Sequence, residues 1–349
     1  MAKVLVTGGC GFIGSHLCAA LAAAGHDVRI LDDLSTGWLV NCAPGTDLVV
    51  GCVTDPVVVG RAMEGVEACF HLAAIASVQR GTEAWAATHR LNLSGTINIL
   101  DAARASGVPV IYASSAAVYG IPDRSPLTED SRLQPLSAYG ADKLGCEQHA
   151  RVAGVVHGVR TFGLRFFNVF GTRQDPHSPY SGVISIFCER LAKGLPVMLH
   201  GDGGQLRDFV HVSDVVRALL AAWGAASVEA PVVNVCTGRP TSIRELAHAI
   251  AGLLGREPRL LTAPARAGDI RESLGSAMRL ERDLGVRAET TLGQGLAGIL
   301  EWLRAGAPGI VGGADQPKVR RLTAVTTTHS PSDMPVRETT AMRSDQRWS

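Results

Sequence analysis

The chain has no excess of either charge. Its 33 lysines and arginines face 32 aspartates and glutamates, for a formal net charge of +1, so composition gives a polyanion such as nucleic acid no reason to bind. No two of its eight cysteines, at 10, 18, 42, 52, 69, 146, 188 and 236, form a CxxC pair. That disfavours a zinc ribbon or thioredoxin-like motif, and no metal site is expected. No uninterrupted apolar run approaches the length of a membrane span, so no membrane partner is expected. Met1-Ala2-Lys3 runs straight into an apolar strand broken by Gly8 and Gly9, too short for a secretory h-region. The expected setting is the cytoplasm, with reduced, mostly buried cysteines. Aromatics are scarce at 5% and charged residues modest at 19%, against 46% hydrophobic residues. A sizeable core is therefore available, and global disorder is excluded.

What is present is length and glycine. A chain of 349 residues suits one large α/β domain or two modest ones. Thirty-nine glycines without a collagen-like period imply tight turns and close backbone approaches.

In the first half, short apolar runs alternate with helical patterns. Lys3–Thr7, Val28–Leu31, Leu48–Val53, Ala68–Leu72, Val110–Ala113 and Arg160–Phe167 read as strands. Helices are expected over about Gly14–Ala24, Asn92–Ala105 and Ser137–Val152. This alternation predicts βαβ units: an α/β fold with a Rossmann-type, doubly wound parallel sheet covered on both faces. The second half is less regular. Gly171–Tyr180 reads as a loop and Val183–Lys193 as a helix. Leu206–Trp223 reads as a strand and then a helix, Val232–Val235 as a strand, and Ile243–Leu254 and Leu292–Leu303 as amphipathic helices. It is expected to form a smaller α+β substrate-binding domain. The expected boundaries are 1–170 plus about 208–236 for the sheet domain and 171–207 plus 237–305 for the smaller one, with 306–349 a disordered tail rich in Gly, Pro, Ser and Thr.

Thr7-Gly8-Gly9-Cys10-Gly11-Phe12-Ile13-Gly14 joins the first strand to the first helix, with Gly8, Gly11 and Gly14 in GxxGxxG spacing. Glycines at such a turn permit close approach of backbone N–H groups to a pyrophosphate, and the helix N-terminus adds partial positive charge. Asp32 ends the second strand, 18 residues past Gly14. A carboxylate there can accept from both adenosine ribose hydroxyls and repels a 2′-phosphate, which favours NAD over NADP.

Ser114-Ser115 follows an apolar strand, whose C-terminal end faces the ligand crevice in such a sheet. Tyr139 and Lys143 are four apart on a predicted helix, so they share a face. An ammonium beside a phenol favours the phenolate, which suits Tyr139 for acid–base work, while Ser115 can hydrogen-bond the reacting oxygen.

With these blocks in family order, the chain resembles the extended short-chain dehydrogenase/reductases, specifically their NAD-dependent nucleotide-sugar epimerases. The matching segments are Thr7–Gly14, Asp32–Gly37, His71-Leu72-Ala73-Ala74, Asn92, Ser114–Gly120, Tyr139–Lys143, Leu164–Gly171, Arg207–Asp214 and Arg266–Asp269, spanning roughly residues 3 to 305. The resemblance implies that Gly8, Gly11, Phe12, Ile13 and Gly14 hold the pyrophosphate segment of NAD, with Asp32, Asp33, Ser35, Thr36 and Gly37 around the adenosine. Cys52, Val53, Leu72, Ala73, Ala74, Asn92, Ser114, Tyr139, Lys143 and Phe166 complete the cofactor set it implies. Ser115, Tyr139 and Lys143 would be catalytic. Ser77, Ser115, Tyr139, Asn168, Val183, Arg207, Arg266, Asp269 and Ser273 would face a UDP-sugar, the arginines on its diphosphate. A homodimer through the helix around Leu93–Leu100 or the one bearing Tyr139 is implied by the same resemblance.

The chain departs from the family in two places. Cys52 stands where an acidic residue usually accepts from the adenine amino group, and Gly275-Ser276 replaces the usual Ala-Asp. Ser115 is followed by Ala116-Ala117, where the family's dehydratases and decarboxylases carry acids. The resemblance thus implies C4 epimerisation: Tyr139 removes the C4 hydroxyl proton, NAD takes the C4 hydride, and the 4-keto sugar turns about its pyrophosphate link before reduction on its other face. Ser273 matches the sugar-pocket size gate, and its small side chain leaves room for a 2-acetamido group. The alternatives are a UDP-glucuronate 4-epimerase, a C4-reductase, or a nucleotide-sensing protein on the same fold. The retained Ser115, Tyr139 and Lys143 weigh against the last.

Overall fold

The fold is known from a computed structural model, which describes residues 1–43, 45–176, 182–265 and 270–307. The expected disordered tail falls, from residue 308 on, outside the described residues. Strands β1 (Lys3–Thr7), β2 (Asp27–Asp32), β3 (Asp47–Val50), β4 (Ala68–His71), β5 (Val110–Ser115) and β6 (Thr161–Phe166) come from the first half. The second half contributes β7 (Asn168–Phe170), β8 (Val197–His200), β9 (Leu206–His211), β10 (Val232–Val235), β11 (Pro240–Ser242), β12 (Leu260–Ala263) and β13 (Glu272–Ser273). Helices α1 (Phe12–Ala23), α2 (Pro56–Met63), α3 (Val78–Glu83), α4 (Trp85–His89), α5 (Gly95–Ser106) and α6 (Ala138–His157) precede α7 (Val183–Ala192), α8 (Val212–Ala225), α9 (Ile243–Leu253), α10 (Met278–Leu284) and α11 (Leu292–Arg304).

Seven strands form one sheet in the order β10-β6-β5-β4-β1-β2-β3. Every pair in it is parallel. This is the expected Rossmann-type sheet, with the strand order reversing between β1 and β4. Side chains alternate across the pleat. Val4 and Val6 point into an apolar core with Leu17 and Leu21 of α1 and Val215 and Leu219 of α8. Leu5 points the other way, into a core with Val59 of α2, Ile99 of α5 and Ala150 of α6. Covered faces explain why these strands read as continuous apolar runs rather than alternating ones. No helix among the described residues is long and apolar enough to cross a membrane.

A third core gathers Ile184 and Phe187 of α7, Leu199 of β8, Phe209 of β9, Leu246 and Ile250 of α9, and Leu296 and Ile299 of α11. Around it β8 pairs with β12, while β9 pairs with β7, β11 and β13. Most of these short strands carry little period-2 signal in sequence, because strands of two to four residues give pattern analysis too few positions.

Three boundaries differ from expectation for physical reasons. The strand expected to reach Val53 ends at Val50, because the chain turns at Gly51 to meet Asp55, which caps α2 by accepting from Val57 and Val58 N–H. The helix expected to open at Asn92 is preceded by a π-helical turn, Arg90–Ser94. The helix expected to stop at Val152 continues to His157 and ends at Gly158 in the left-handed conformation (φ +69°), a common helix stop.

Gly275 accounts structurally for the first half of the Gly275-Ser276 departure. A Cβ there would lie 2.6 Å from both Cys236 Sγ and Phe167 Cζ. The volume an alanine methyl would need is already filled. Gly275→Ala is expected to destabilise by about 1–3 kcal/mol through overpacking. Cys236→Ala in the same chain should recover part of that loss. Denaturant midpoints of the two single variants and the double variant test this, and strictly additive losses would refute it.

Candidate active site

The C-terminal ends of β1 and β4 meet at the switch point. Gly8 follows β1 at φ +71°, and a Cβ on it would sit 2.9 Å from the backbone nitrogen of Ala73, just past β4. At Gly14 a Cβ would lie 2.1 Å from the Gly8 carbonyl oxygen. Both positions therefore require glycine, one for conformation and the other for space. Gly11 is the N-cap of α1 and offers no side chain to the first-turn N–H groups, and no acidic residue stands in that turn. Phe12 and Ile13 open the helix. The result is a backbone concavity at a helix N-terminus, suited to a diphosphate.

Asp32 is the last residue of β2 and is buried. Its Oδ2 accepts from Cys10 N at 2.9 Å and its Oδ1 from Leu34 N at 2.8 Å. Burial raises its carboxyl above the ordinary value, opposed by those two donors. Gly37 comes back against it, where a Cβ would lie 3.0 Å from Asp32 Oδ1. Between them, Asp33 Oδ1 accepts from Ser35 N and Oγ, which closes the turn that Thr36 and Gly37 continue. Cys52 is half-buried and its sulfur accepts from Thr54 Oγ1, while the Val53 carbonyl accepts from Asn98. That carbonyl thus already has one partner.

The segment after β4 is held by two devices that the sequence reading did not foresee. Thr7 Oγ1 accepts from the N–H groups of Leu72 and Ala73 and bonds His71 Nδ1 at 2.8 Å. His71 Nε2 bonds Thr96 Oγ1 at 3.0 Å. Asn92, within the π-helical turn, accepts from Ile75 N and donates to Ile75 O, as a strand neighbour would. Its placement fixes the segment containing Ala73, Ala74 and Ile75. Ser77 ends that segment and caps α3 by accepting from Arg80 N.

Burial, with Lys143 nearby, pushes His71 down to about 3. Its folded value lies below its unfolded one, so the unfolded chain takes up the proton first as pH falls. Stability is therefore full above about pH 6.5 and declines towards pH 3. Between pH 6.5 and 5.5 the loss from this one group is expected to be about 1 kcal/mol. Denaturant midpoints against pH should show it, with a shallower slope in His71→Asn. An unchanged slope in that variant would remove His71 as the cause.

Ser114 and Ser115 end β5, which runs two residues further than expected. Ser115 Oγ accepts from Ala117 N at 3.2 Å, fixing the hydroxyl at the crevice. Ser137 caps α6 by accepting from Gly140 N, which sets where the helix begins and so where Tyr139 and Lys143 stand. Lys143 is buried, and its Nζ donates to the Ala113 carbonyl at 2.8 Å. The same Nζ lies 6.0 Å from the Tyr139 ring centroid. Tyr139 itself is half-buried. The strand end and the helix face are thus joined through the lysine.

Behind them lies a buried ion pair. Arg165 of β6 and Glu147 of α6 are joined by two hydrogen bonds, Nε–Oε1 at 2.9 Å and Nη2–Oε2 at 2.7 Å. Ser114 Oγ donates to the same Glu147 Oε1 at 2.5 Å. Arg165 Nη1 donates to Tyr119 Oη, which donates to Asn234 Oδ1. Burial pushes Tyr119 up to about 12, so it remains a phenol in this network. A sequence signal existed: a buried charge must be paired, Arg165 interrupts an apolar strand, and Glu147 continues the i, i+4 row of Tyr139 and Lys143.

On the substrate side, Arg207 of β9 is in register with Ser273 of β13, so two expected residues are neighbours. Arg207 Nη1 donates to the carbonyls of Leu206 and Ile270. Phe166 ends β6, and Asn168 starts β7 and is exposed. Val183 opens α7, half-buried. Arg266 and Asp269 lie outside the described residues.

A parallel sheet with a glycine cradle at its switch point, an aspartate ending β2, and a Ser–Tyr–Lys set at the next strand end defines a dinucleotide-dependent enzyme. The chain belongs to the NAD dependent epimerase/dehydratase family, whose pattern matches residues 4–236. It is similar to a UDP-glucose 4-epimerase of Mycolicibacterium smegmatis, 38% identical over 310 residues, which cover 86% of this chain and 98% of that one. Its fold is similar to that of a UDP-glucose 4-epimerase of Thermotoga maritima solved with UDP-glucose (TM-score 0.84, 32% identity, covering 87% of this chain and 99% of that one). It is also similar to a UDP-N-acetylglucosamine 4-epimerase of Methanobrevibacter ruminantium in complex with UDP-N-acetylmuramic acid (TM-score 0.83, 31% identity, covering 87% and 99%).

Proposed function

We infer that this chain is an NAD-dependent nucleotide-sugar 4-epimerase acting on UDP-hexoses, UDP-glucose and UDP-galactose first. The observation that carries the reading is the joined strand end and helix face: Ser115, Tyr139 and Lys143 at the crevice, with Lys143 tied to β5. The residues fit NAD on structural grounds, since Cβ atoms at Gly8 and Gly14 would fill the cradle and Asp32 presents a buried carboxylate beside it. NAD would be held by the turn Gly8–Gly14 and by Asp32–Gly37, and when bound it supplies reversible two-electron oxidation at sugar C4. Tyr139 takes the C4 hydroxyl proton and later returns it. The Lys143 cation stabilises negative charge as it forms on the Tyr139 oxygen, and Ser115 donates to the sugar oxygen. Ala116 and Ala117 next to Ser115 bring no acid or base, so nothing there drives elimination or decarboxylation.

The sugar must present both faces to one site, which requires a fixed diphosphate and a mobile hexose. Arg207, with Arg266 and Asp269, is proposed to hold the nucleotide, leaving Asn168, Val183, Ser77 and Ser273 around the sugar. Ser273 is small and is proposed to admit a 2-acetamido group. The proposed domain division follows the cores, with the sheet domain holding NAD and the core of α7, α9 and α11 carrying the sugar-nucleotide side. A homodimer is proposed through α5 and α6, whose outer faces expose Ile97 at 37%, Val152 at 51% and Val156 at 64%. A cytoplasmic setting is proposed with it.

Incubating the purified chain with UDP-galactose and with UDP-N-acetylgalactosamine, without added NADH, and separating the epimers tests the reading. Both substrates are expected to reach an epimer mixture. Turnover of UDP-galactose alone would overturn the pocket assignment of Ser273. A strict need for reductant, with net redox change, would overturn epimerisation itself.

A further inference from the structure

We propose that Cys10 and Cys42 are a peroxide-reactive dithiol that closes to a disulfide, fastening the adenosine-side loop to the glycine turn. Their sulfurs lie 2.8 Å apart, the two residues coming from segments 32 positions apart in the chain. A disulfide bond measures about 2.03–2.05 Å, so closure asks for movement of less than an ångström. The backbone around the pair is already tied together. Trp38 N and Asn41 Nδ2 both donate to the Cys10 carbonyl, Cys10 N donates to Asp32, and Cys42 N donates to Leu39 O. Neither cysteine needs to be recruited by loop motion.

The two thiols differ in a way that assigns roles. Cys10 is fully buried inside the turn, whereas Cys42 is half-exposed after the 3-10 turn Leu39–Asn41. Cys42 is thus the sulfur an oxidant can reach. The hydrogen bond from the Cys10 thiol favours the thiolate at Cys42, against the burial and the Asp32 carboxylate that oppose it. Five of the other six cysteines are buried, and Cys52 is half-buried and bonded to Thr54. Cys18 Sγ donates to the Gly9 carbonyl and Cys146 Sγ to the Asn92 carbonyl.

The chemistry balances with hydrogen peroxide as oxidant. The Cys42 thiolate attacks one peroxide oxygen, the O–O bond breaks, and hydroxide leaves and is protonated to water, giving a sulfenic acid on Cys42. The Cys10 sulfur then attacks the Cys42 sulfur. The S–S bond forms, the S–O bond breaks, and water departs with the Cys10 proton. Two thiols lose two protons and two electrons in all, and the peroxide becomes two waters.

Asp32, Asp33, Ser35, Thr36 and Gly37 all lie between positions 10 and 42. The crosslink makes a covalent ring of this segment, so the loop beside the ribose-reading carboxylate can no longer swing away from the glycine turn. Slower exchange of NAD follows. That consequence rests on the NAD reading; the thiol reaction does not.

The full chain, with whatever cofactor it carries, is treated with a few equivalents of hydrogen peroxide and mapped by non-reducing peptide mass spectrometry. A linked Cys10–Cys42 peptide, two hydrogens lighter and released by dithiothreitol, is expected. Cys42→Ser should abolish the link. Cys10→Ala should leave Cys42 as a sulfenic acid that dimedone traps. An unreacted Cys42, or one carried to sulfinic acid with no link in the parent chain, overturns the proposal. Displacement of bound NAD by labelled NAD gives the second readout, with release slowed several-fold in the crosslinked chain but not in peroxide-treated Cys42→Ser. Equal release rates despite complete linkage overturn the effect on exchange. A chain that binds no NAD overturns the cofactor reading, and the peptide map then still decides the thiol reaction.

Discussion

Tyr139→Phe is expected to lower turnover by about 10²- to 10⁴-fold, the usual worth of a positioned acid–base group. The substitution removes a single oxygen. The ring, its contact with Lys143 and the capped start of α6 remain, so the fold and the cofactor content should not change. The loss should appear in kcat and kcat/KM together, because the proton moves only on the way to the transition state. Initial rates with UDP-galactose, alongside the nucleotide released on denaturing the protein, make the measurement. Activity within a few-fold of the parent would exclude Tyr139 as the acid–base group.

Glu147→Ala is expected to destabilise the protein by about 3–5 kcal/mol, the range for breaking a buried ion pair from one side. Arg165 and Glu147 are each about 5% exposed at the side chain. Removal of the carboxylate strands a guanidinium among Tyr119, Asn234 and the sheet and leaves Ser114 without its acceptor. The guanidinium keeps only neutral partners, the Tyr119 hydroxyl and the Glu129 carbonyl, neither of which balances its charge. Chemical denaturation gives the value. Asp101→Ala is the control, since its pair with Arg104 is exposed on both sides and should be worth no more than about 0.5 kcal/mol. Similar losses in the two variants would show that the Arg165 pair is not the anchor described here.

The residues behind these two effects differ in how legible they are in sequence. Tyr139 and Lys143 are legible because helix spacing alone puts them on one face, and Gly8, Gly14 and Asp32 because the glycines stand between a strand and a helix with an aspartate ending the next strand. Glu147 sits on the same helical row, but its meaning depends on Arg165 arriving from β6, 18 residues away. The chain Thr7–His71–Thr96 was equally hidden. It joins β1, β4 and α5, and no local pattern links a threonine to a histidine 64 positions on. The resemblance implies a cofactor contact for Asn92; the bonds from both ends of its amide to Ile75 appear only in the fold. In the second half β10 is legible as Val232–Val235, whereas β7, β8, β11, β12 and β13 are not, because two to four residues carry little period.

By itself, the sequence determined the parallel sheet, the glycine turn and the shared face of Tyr139 and Lys143 on α6. Each is a local matter of period, spacing and the space a side chain needs. The tertiary structure alone decided what holds those parts in place: the Arg165–Glu147 pair behind the end of β5, the volume exchange between Gly275 and Cys236, and the meeting of Cys10 with Cys42 beside Asp32. The physical reason is common to all three. Burial makes a charge, a methyl group or a thiol depend on whichever atom faces it, and that atom comes from a distant part of the chain.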